Sequence, residues 1–442
     1  MRLYIVVEIT TREFDAKTFL ACCAAAEGFD VVIGEENMLR RFAVMESPGI
    51  LYDKSLHTQY PAWFQRMRRL GNRIVVNDDE GFIIDPESYA IHSMTQAACD
   101  AVDLHLTWGM HQQEILERGH AELAAKSVPV GNVRMDLLRP ELRPYLQDKA
   151  DVLKKRWGRI VLVNSRASVV NNAGGARYLE EFLRSEDSGA IEIRQPYIDW
   201  DTRVFQGLQD MLRAVAPQFP DHTFIVRPHP KENMAVWQRM DDEIGNVHLV
   251  REGNVHDWIL AAEMVIVQHG CTTAAESFFL GTPCVSYLPV SETVIDHGLT
   301  AEVVYIANDP ETVCQCLRGE REVEMSAMLP RWREAARRYV ASVDGPLAAE
   351  STIRHLKEVA DIDRDRELGE ALRERLCGIP RSWWRRLKRS LPRRGRCGSP
   401  KWKPLTLEEF KENIDQFSFY DARFTRLEVS RVYLDCFRLR MK

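Results

Sequence analysis

Short runs of β-branched and apolar residues alternate along this chain with longer amphipathic stretches, a pattern that predicts parallel strands with helices on both sheet faces. Residues 3–9, 31–34 and 73–77 read as strands and 14–27 as the first helix. A second alternating block starts near Trp157, with strands at 160–164, 223–226, 247–250, 264–267 and 284–287. Between them lie helical stretches from about Ala176, at 202–216, at 256–262 and from Thr273. The charged stretches 309–339 and 346–376 read as helices packing across or beside the domains. The expectation is an α/β protein with two Rossmann-like domains, 1–147 and 148–345, whose parallel sheets face a cleft, followed by a helical, basic C-terminal extension, 346–442.

The strand ends carry the chemistry, because ligands of open parallel sheets bind beyond the carboxyl ends of the strands. Val265-Ile266-Val267 suits a central strand, Gly270 allows a close turn, and Thr272 or Thr273 can cap the helix that Ala274 begins. The unpaired N–H groups of that first turn suit a phosphate, and Glu276, one turn in, can reach a ribose hydroxyl. His269 precedes the turn. An ordinary strand-to-helix junction has the same outline. The strand 223–226 ends in Arg227-Pro228-His229-Pro230-Lys231, two fixed cations and an imidazole whose backbone the prolines restrict. At the end of the first strand Glu8, Arg12, Glu13 and Asp15 cluster, so that Glu8 or Glu13 could act as general base and Arg12 could hold an acidic group. Acids at a helix start also simply favour the dipole. Asp78, Asp79 and Glu80 lack a spaced histidine or second carboxylate motif, so no metal site is expected.

The 442 residues, 45% hydrophobic, suffice for two or three domains. No charged leader with an apolar core precedes the first strand, and no apolar run reaches the ~20 residues that span a bilayer. Ten scattered cysteines without a Cys-x-x-Cys pair point to a reducing cytoplasm and away from structural zinc. Charge is uneven. Between Glu374 and Glu408 stand eleven basic residues and no acidic one, so removing these from the 59 basic residues leaves 48 against 65 acidic. Trp383, Trp384, Leu387, Leu391 and Trp402 lie among them, a composition that suits an anionic membrane surface at about 1 kcal/mol per basic side chain, although a solvated linker would look similar. Nucleic acid is not expected as a partner, since the acidic remainder would repel it.

Several of these segments together resemble the bacterial surface carbohydrate biosynthesis proteins, GT-B glycosyltransferase-like proteins akin to Kdo and capsule-polymer transferases and to CDP-glycerol glycerophosphotransferases. The resemblance runs through Val7-Glu8-Ile9-Thr10-Thr11-Arg12-Glu13-Phe14-Asp15, Lys54-Ser55, Asp79-Glu80-Gly81, Gly131-Asn132-Val133-Arg134-Met135-Asp136, Leu162-Val163-Asn164-Ser165, Arg227-Pro228-His229-Pro230, Trp258-Ile259 and Gly270-Cys271-Thr272-Thr273, over roughly residues 1–290. It departs from the family pattern at Val133, at Ser165-Arg166-Ala167 and at Gln268-His269. The resemblance implies an acceptor domain first and a donor domain second. Arg227 and His229 would lie on the phosphates of a cytidine- or uridine-linked sugar, with Lys231, His269, Gly270, Thr272 and Thr273 around them and Glu276 on the ribose. It implies a metal-independent glycosyltransferase without a cofactor. His229, Glu8, Arg12 and Glu13 would carry catalysis, and a glycan or lipid-linked acceptor would be met at the inner face of the cell membrane; the segment 375–403 lies outside the resembling region, and its own composition places it on the lipid. A glycerophosphotransferase, a nucleotide-sugar 2-epimerase or a non-catalytic nucleotide-sugar-binding scaffold would use the same fold.

Overall fold

The computed structural model describes residues 1–56, 60–79, 81, 89, 94–184, 191–290, 292, 298–361 and 402–442. Most of the basic segment, including Trp383 and Trp384, and the predicted Glu80 lie outside the described residues. The described residues form fourteen strands: β1 (Arg2–Val7), β2 (Asp30–Glu35), β3 (Ile50–Asp53), β4 (Arg73–Asn77), β5 (Leu104–Thr107), β6 (Ser127–Pro129), β7 (Arg159–Asn164), β8 (His222–Arg227), β9 (Val247–Leu249), β10 (Met264–Gln268), β11 (Cys284–Tyr287), β12 (Tyr305–Ala307), β13 (Leu427–Tyr433) and β14 (Cys436–Met441). They fall into two compact units, one made of Met1–Gly81, Pro86–Leu137 and Tyr339–Lys442, the other centred on Leu138–Arg338.

The first unit holds the sheet β13-β14-β2-β1-β3-β4-β5-β6, parallel from β2 to β6. Leu3, Tyr4, Ile5, Val6 and Val7 are all buried, as the middle of a sheet covered on both faces requires. β1 ends at Val7, two residues before the predicted end. Glu13 accepts the Glu8 N–H at 3.0 Å, while Ile9 O takes the Arg12 and Glu13 N–H groups, so the helix Thr10–Ala26 starts ahead of Phe14.

That helix is buried on nearly every side, and the sheet can cover only one. Residues 402–437 cover another. Trp402 and Phe410 stand 5.8 and 5.7 Å from Phe14, Phe417 and Tyr420 stand 5.3 and 5.0 Å from Phe19, and Phe437 stacks on Phe410 at 4.5 Å. The C-terminal region is helical at Ala348–Asp361 and Leu407–Asp415, as expected, but it finishes in the antiparallel hairpin β13–β14. β14 pairs with β2, and its Arg438 reaches Asp30 at 2.6 Å. Asp136 caps the helix Ala348–Asp361 by accepting the Ala348 and Ala349 N–H groups at 2.8 Å each. The described C-terminal residues therefore belong to the first unit rather than forming a separate extension.

The second unit holds the all-parallel sheet β12-β11-β10-β7-β8-β9. Counted from β7 this is the 3-2-1-4-5-6 order of a Rossmann sheet, so the strand order reverses between β7 and β10. All eight described cysteines are buried thiols, core residues in both units. No helix among the described residues is long and apolar enough to cross a membrane.

The hairpin rests on a glycine. A Cβ at Gly34 would stand 2.5 Å from Asp435 O and 2.8 Å from Cys436 Sγ. Gly34→Val is expected to lower the stability of the protein by about 1–3 kcal/mol in urea unfolding, as overpacking does. An unchanged midpoint would mean that the hairpin does not press on β2.

Candidate functional site

The reversal between β7 and β10 marks where a ligand of the second unit belongs. Each buried strand hands a polar residue to this edge. Ser165, just past β7, has its Oγ 3.0 Å from Glu232 Oε2 and 3.0 Å from Gln268 Oε1. Glu232 accepts the His229 N–H at 2.9 Å, and Gln268 accepts the Arg166 N–H at 3.0 Å and donates to Asp201 Oδ1 at 2.9 Å. Arg166 Nε donates to His269 O at 2.6 Å, and its guanidinium contacts Tyr197 and Asp201. The tips of β7, β8 and β10 are thus one hydrogen-bonded body. Burial opposes the charge of Arg166, but Tyr197 and Asp201 outweigh it and keep the guanidinium charged.

The predicted donor residues divide around this body. His229 is half-buried, and burial followed by the Lys231 charge lowers its proton affinity below the ordinary histidine value. Its Nδ1 accepts the Lys231 N–H at 3.2 Å, while the Lys231 side chain is exposed. Gly270 takes φ +81°, a conformation that a side chain would strain. Thr272 stands exposed at the start of the helix Thr273–Leu280, yet neither it nor Thr273 provides the expected hydroxyl cap. Thr272 has helical dihedrals, which point its hydroxyl away from the cap position, and Thr273 Oγ1 instead accepts from Asn164 Nδ2 at 3.0 Å and from the Cys271 thiol. His269 is buried with Nδ1 2.9 Å from Ser286 Oγ, and burial with the nearby Arg166 lowers it to about 4. Arg227 turns to the β9 side, where it donates to Glu252 O and, at 2.9 Å, to Gly253 O and covers the Trp258 ring. Burial lowers it to about 10 despite Asp257 and Glu252. Glu276 is buried beside His256, 3.3 Å from its Nε2.

In the first unit the sheet order reverses between β1 and β3, and the residues after those strands, Glu8 and Lys54, form an ion pair. Lys54 lies 3.7 Å from Glu36, which pairs with Arg40, which in turn reaches Asp53 at 3.1 Å. Beneath this chain Glu13 is fully enclosed. Lys17 donates to Glu13 at 2.9 Å and to Asp79 at 3.1 Å, and Arg12 reaches Glu13 at 3.3 Å. Although burial works against its charge, Lys17, the Glu8 N–H and Arg12 hold Glu13 down to about 2. An acid held so low is a poor general base. Asp79 is the opposite case, since burial, helped by the Glu13 carboxylate, pushes it up to about 7 against the pull of Lys17. A Ser127–His105–Asp78 chain, with both steps 3.2 Å, also stands here, but Ser127 Oγ gives its proton to Leu123 O at 2.7 Å and so is no activated nucleophile. Among the described residues no group of three or more His, Cys, Asp or Glu could hold a metal ion.

Sequence reading did not single out Arg166, Asp201, Glu232 or Gln268 as site residues. Glu232 was within reach, directly after the Arg-Pro-His-Pro-Lys run. Asp201 sits inside the helix Ile191–Val215 with no local signal. Ser165, Arg166 and Gln268, where the chain departs from the family pattern it resembles, bond directly to one another, so the departures form one coupled set.

The sequence matches no family model and no curated protein sequence. Among solved structures, a Listeria monocytogenes protein described as a UDP-N-acetylglucosamine 2-epimerase superposes with a TM-score of 0.51 at 14% identity, over 83% of this chain and 98% of that one. The UDP-GlcNAc 2-epimerase of Methanocaldococcus jannaschii gives a TM-score of 0.51 at 12% identity, over 81% of this chain and 100% of the other. The likeness is one of fold, two Rossmann-like domains of the GT-B type.

The buried Glu13–Lys17–Asp79 group makes a pH prediction. A folded chain holds the Asp79 proton to about 7, whereas an unfolded one releases it near the ordinary 3.8. At Asp79 the native state therefore binds more protons in this window, and the contribution of this group to stability falls as pH rises from about 4 to about 7, opposite in sign to that of the depressed His269. Asp79→Asn is expected to flatten this slope and to be at least as stable as the parent at pH 8, as measured by urea unfolding across pH. Parallel slopes would assign the titration to another group.

Proposed function

We propose that the protein is a glycosyltransferase that moves a sugar from a cytidine- or uridine-linked donor to a glycan or lipid-linked acceptor of a surface polysaccharide. The observation that carries this reading is the fused edge of β7, β8 and β10, which offers a half-buried imidazole and an exposed helix start at the reversal of a Rossmann sheet. His229 and the helix start at Thr272 and Thr273 would stabilise the leaving nucleotide, mainly by preorganised hydrogen bonds. Lys231 would add a mobile cation, and Arg227 would stiffen the loop at 252–253 that it already grips. His269 would support the Gly270 turn from below, and Glu276, beside His256, would accept from the ribose. Glu8 keeps some exposure but is engaged by Lys54, so Asp79, with a proton affinity near neutral pH, is the carboxylate best suited to deprotonate an acceptor hydroxyl.

A 2-epimerisation of the same donor is the second reading. A neutral-range acid within a buried charge group suits proton transfer without an acceptor. Product formed from the nucleotide sugar alone would favour it, whereas nucleotide release that requires a lipid-linked acceptor favours transfer.

CMP-, CDP-, UDP- and GDP-linked sugars should be screened by thermal stabilisation, since a ligand at about 100 times its Kd adds about 2.7 kcal/mol to the native state. His229→Ala is expected to leave the fold intact and to weaken binding of the stabilising donor by roughly 1.5–3 kcal/mol in titration calorimetry, for the loss of a charge-assisted hydrogen bond. Equal isotherms for variant and parent would remove His229 from the donor site.

The basic segment 375–403 would hold the enzyme at the inner, anionic membrane surface through its charges, Trp383 and Trp384, a reading that rests on its sequence; Trp402, expected to share in this contact, is instead buried against Phe14. The parent should sediment with phosphatidylglycerol vesicles at low salt and be released as salt rises. Changing Arg385, Arg386, Lys388 and Arg389 to Gln should abolish sedimentation, at about 1 kcal/mol for each charge removed. A parent that stays in the supernatant, or a variant that pellets equally well, overturns the membrane assignment.

A further inference from the structure

Glu232 is 2% exposed, and its partners among the described residues include no cation. It meets four donors instead. Its Oε1 takes the His229 N–H at 2.9 Å, and its Oε2 faces the Ser165 hydroxyl at 3.0 Å, Trp237 Nε1 at 3.1 Å and Asn171 Nδ2 at 3.2 Å. Trp237 is fully buried and Ser165 belongs to the β7 tip, so one carboxylate pins the loop after β8 to the core and to the neighbouring strand. A buried carboxylate without a counter-charge is costly unless every lone pair is engaged, and here the engagement has a geometric result.

The result is a closed turn over residues 229–232. The His229 N–H goes to the Glu232 side chain, the Glu232 N–H returns to His229 O at 2.9 Å, and inside the loop the Lys231 N–H points at His229 Nδ1 from 3.2 Å. A ring nitrogen that accepts a backbone N–H cannot carry the proton of the neutral imidazole. That proton is left on Nε2, the nitrogen on the far side of the ring from the turn.

We propose that Glu232 is the positioning residue of the donor site, closing the His229 turn so that the imidazole is held as the Nε2–H tautomer and presents that N–H to a phosphate oxygen of a nucleoside diphosphate. The tautomer is a property of the ligand-free protein, whereas its use on phosphate rests on the donor reading above. Glu232 touches no substrate in this scheme and acts through His229. In Glu232→Gln the one amide oxygen is drawn to the Ser165, Trp237 and Asn171 donors, which leaves the NH2 facing the His229 N–H; that N–H loses its acceptor, the turn opens and the ring is free to populate both tautomers.

The test uses the full chain labelled with 15N-histidine, the His229 signals being those absent from His229→Asn. In the ligand-free parent, a pyridine-type Nδ1 and a protonated Nε2 are expected. In Glu232→Gln, averaged signals are expected, together with a rise of about tenfold in the Kd of UDP or CDP. A merely structural role for Glu232 would lower the melting temperature without moving the tautomer. An Nδ1-protonated His229 in the parent, a variant that keeps the parental tautomer, or an altered tautomer with unchanged nucleotide affinity would each overturn the proposal. If the tautomer responds as expected but neither protein binds UDP or CDP, the positioning of His229 stands and the donor reading falls. If Glu232→Gln does not fold, the parental spectrum decides, because an Nδ1–H signal there is sufficient to overturn the assignment.

Discussion

A parallel sheet covered on both faces leaves its strands no room for polar side chains except at their ends. β7 and β10 are apolar through their middles and turn polar at Asn164-Ser165 and Gln268-His269, and β8 does the same past Val226. Those end groups are themselves mostly buried, so each must find a hydrogen-bond partner. The shared solution, Ser165 donating to Glu232 and Arg166 donating to Gln268 and His269 O, makes three loops into one rigid edge. Preorganisation follows from that rigidity: donors and dipoles that are already fixed need not reorganise when charge develops on a leaving group.

The first unit meets the same constraint with charge. Glu13, Lys17 and Asp79 place two carboxylates on one buried ammonium, so only one acid can be fully compensated. The Glu8 N–H and Arg12 decide for Glu13, and Asp79 is left with its proton affinity near neutrality. The conflict that raises the proton affinity of Asp79 is what suits it to proton transfer, in the manner of other sites where buried like charges push two titrations apart. The helix that supplies Glu13 and Lys17 owes its burial to the C-terminal residues. Phe410, Phe417 and Phe437 lie in that aromatic layer, so chain from the far end of the sequence helps hold the group in its low-dielectric setting.

The alternation of apolar runs and amphipathic stretches was enough to place two Rossmann-like sheets, because fully buried strands must be continuously apolar and the strands around 160–164, 223–226 and 264–267 are. Turn chemistry was legible as well, since the residues at Gly270 and at the Pro-His-Pro run are restricted locally. The short strands β3, β6 and β12 were not read, whereas β9 and β11, equally short, were, so length alone did not decide legibility. β13 and β14 escaped for a tertiary reason. Their charged and half-exposed residues form strands only because β2 offers an unpaired edge, a fact held 400 residues away in the chain.

The site divides along the same line. His229, Gly270 and Thr272 could be named from the sequence because their neighbours fix their conformation. The partition of roles among them could not, since it depends on which groups meet. Nothing local distinguishes Glu13, saturated by Lys17 and Arg12, from Asp79, which shares the same lysine from 62 residues away. Nor does any local signal join Asp201 to Gln268 or Glu232 to Ser165, each pair 67 residues apart. Proton affinity and preorganisation come from burial and partners. The sequence by itself determined where the polar strand ends would fall, and tertiary contact decided which of those ends became support and which became available for chemistry.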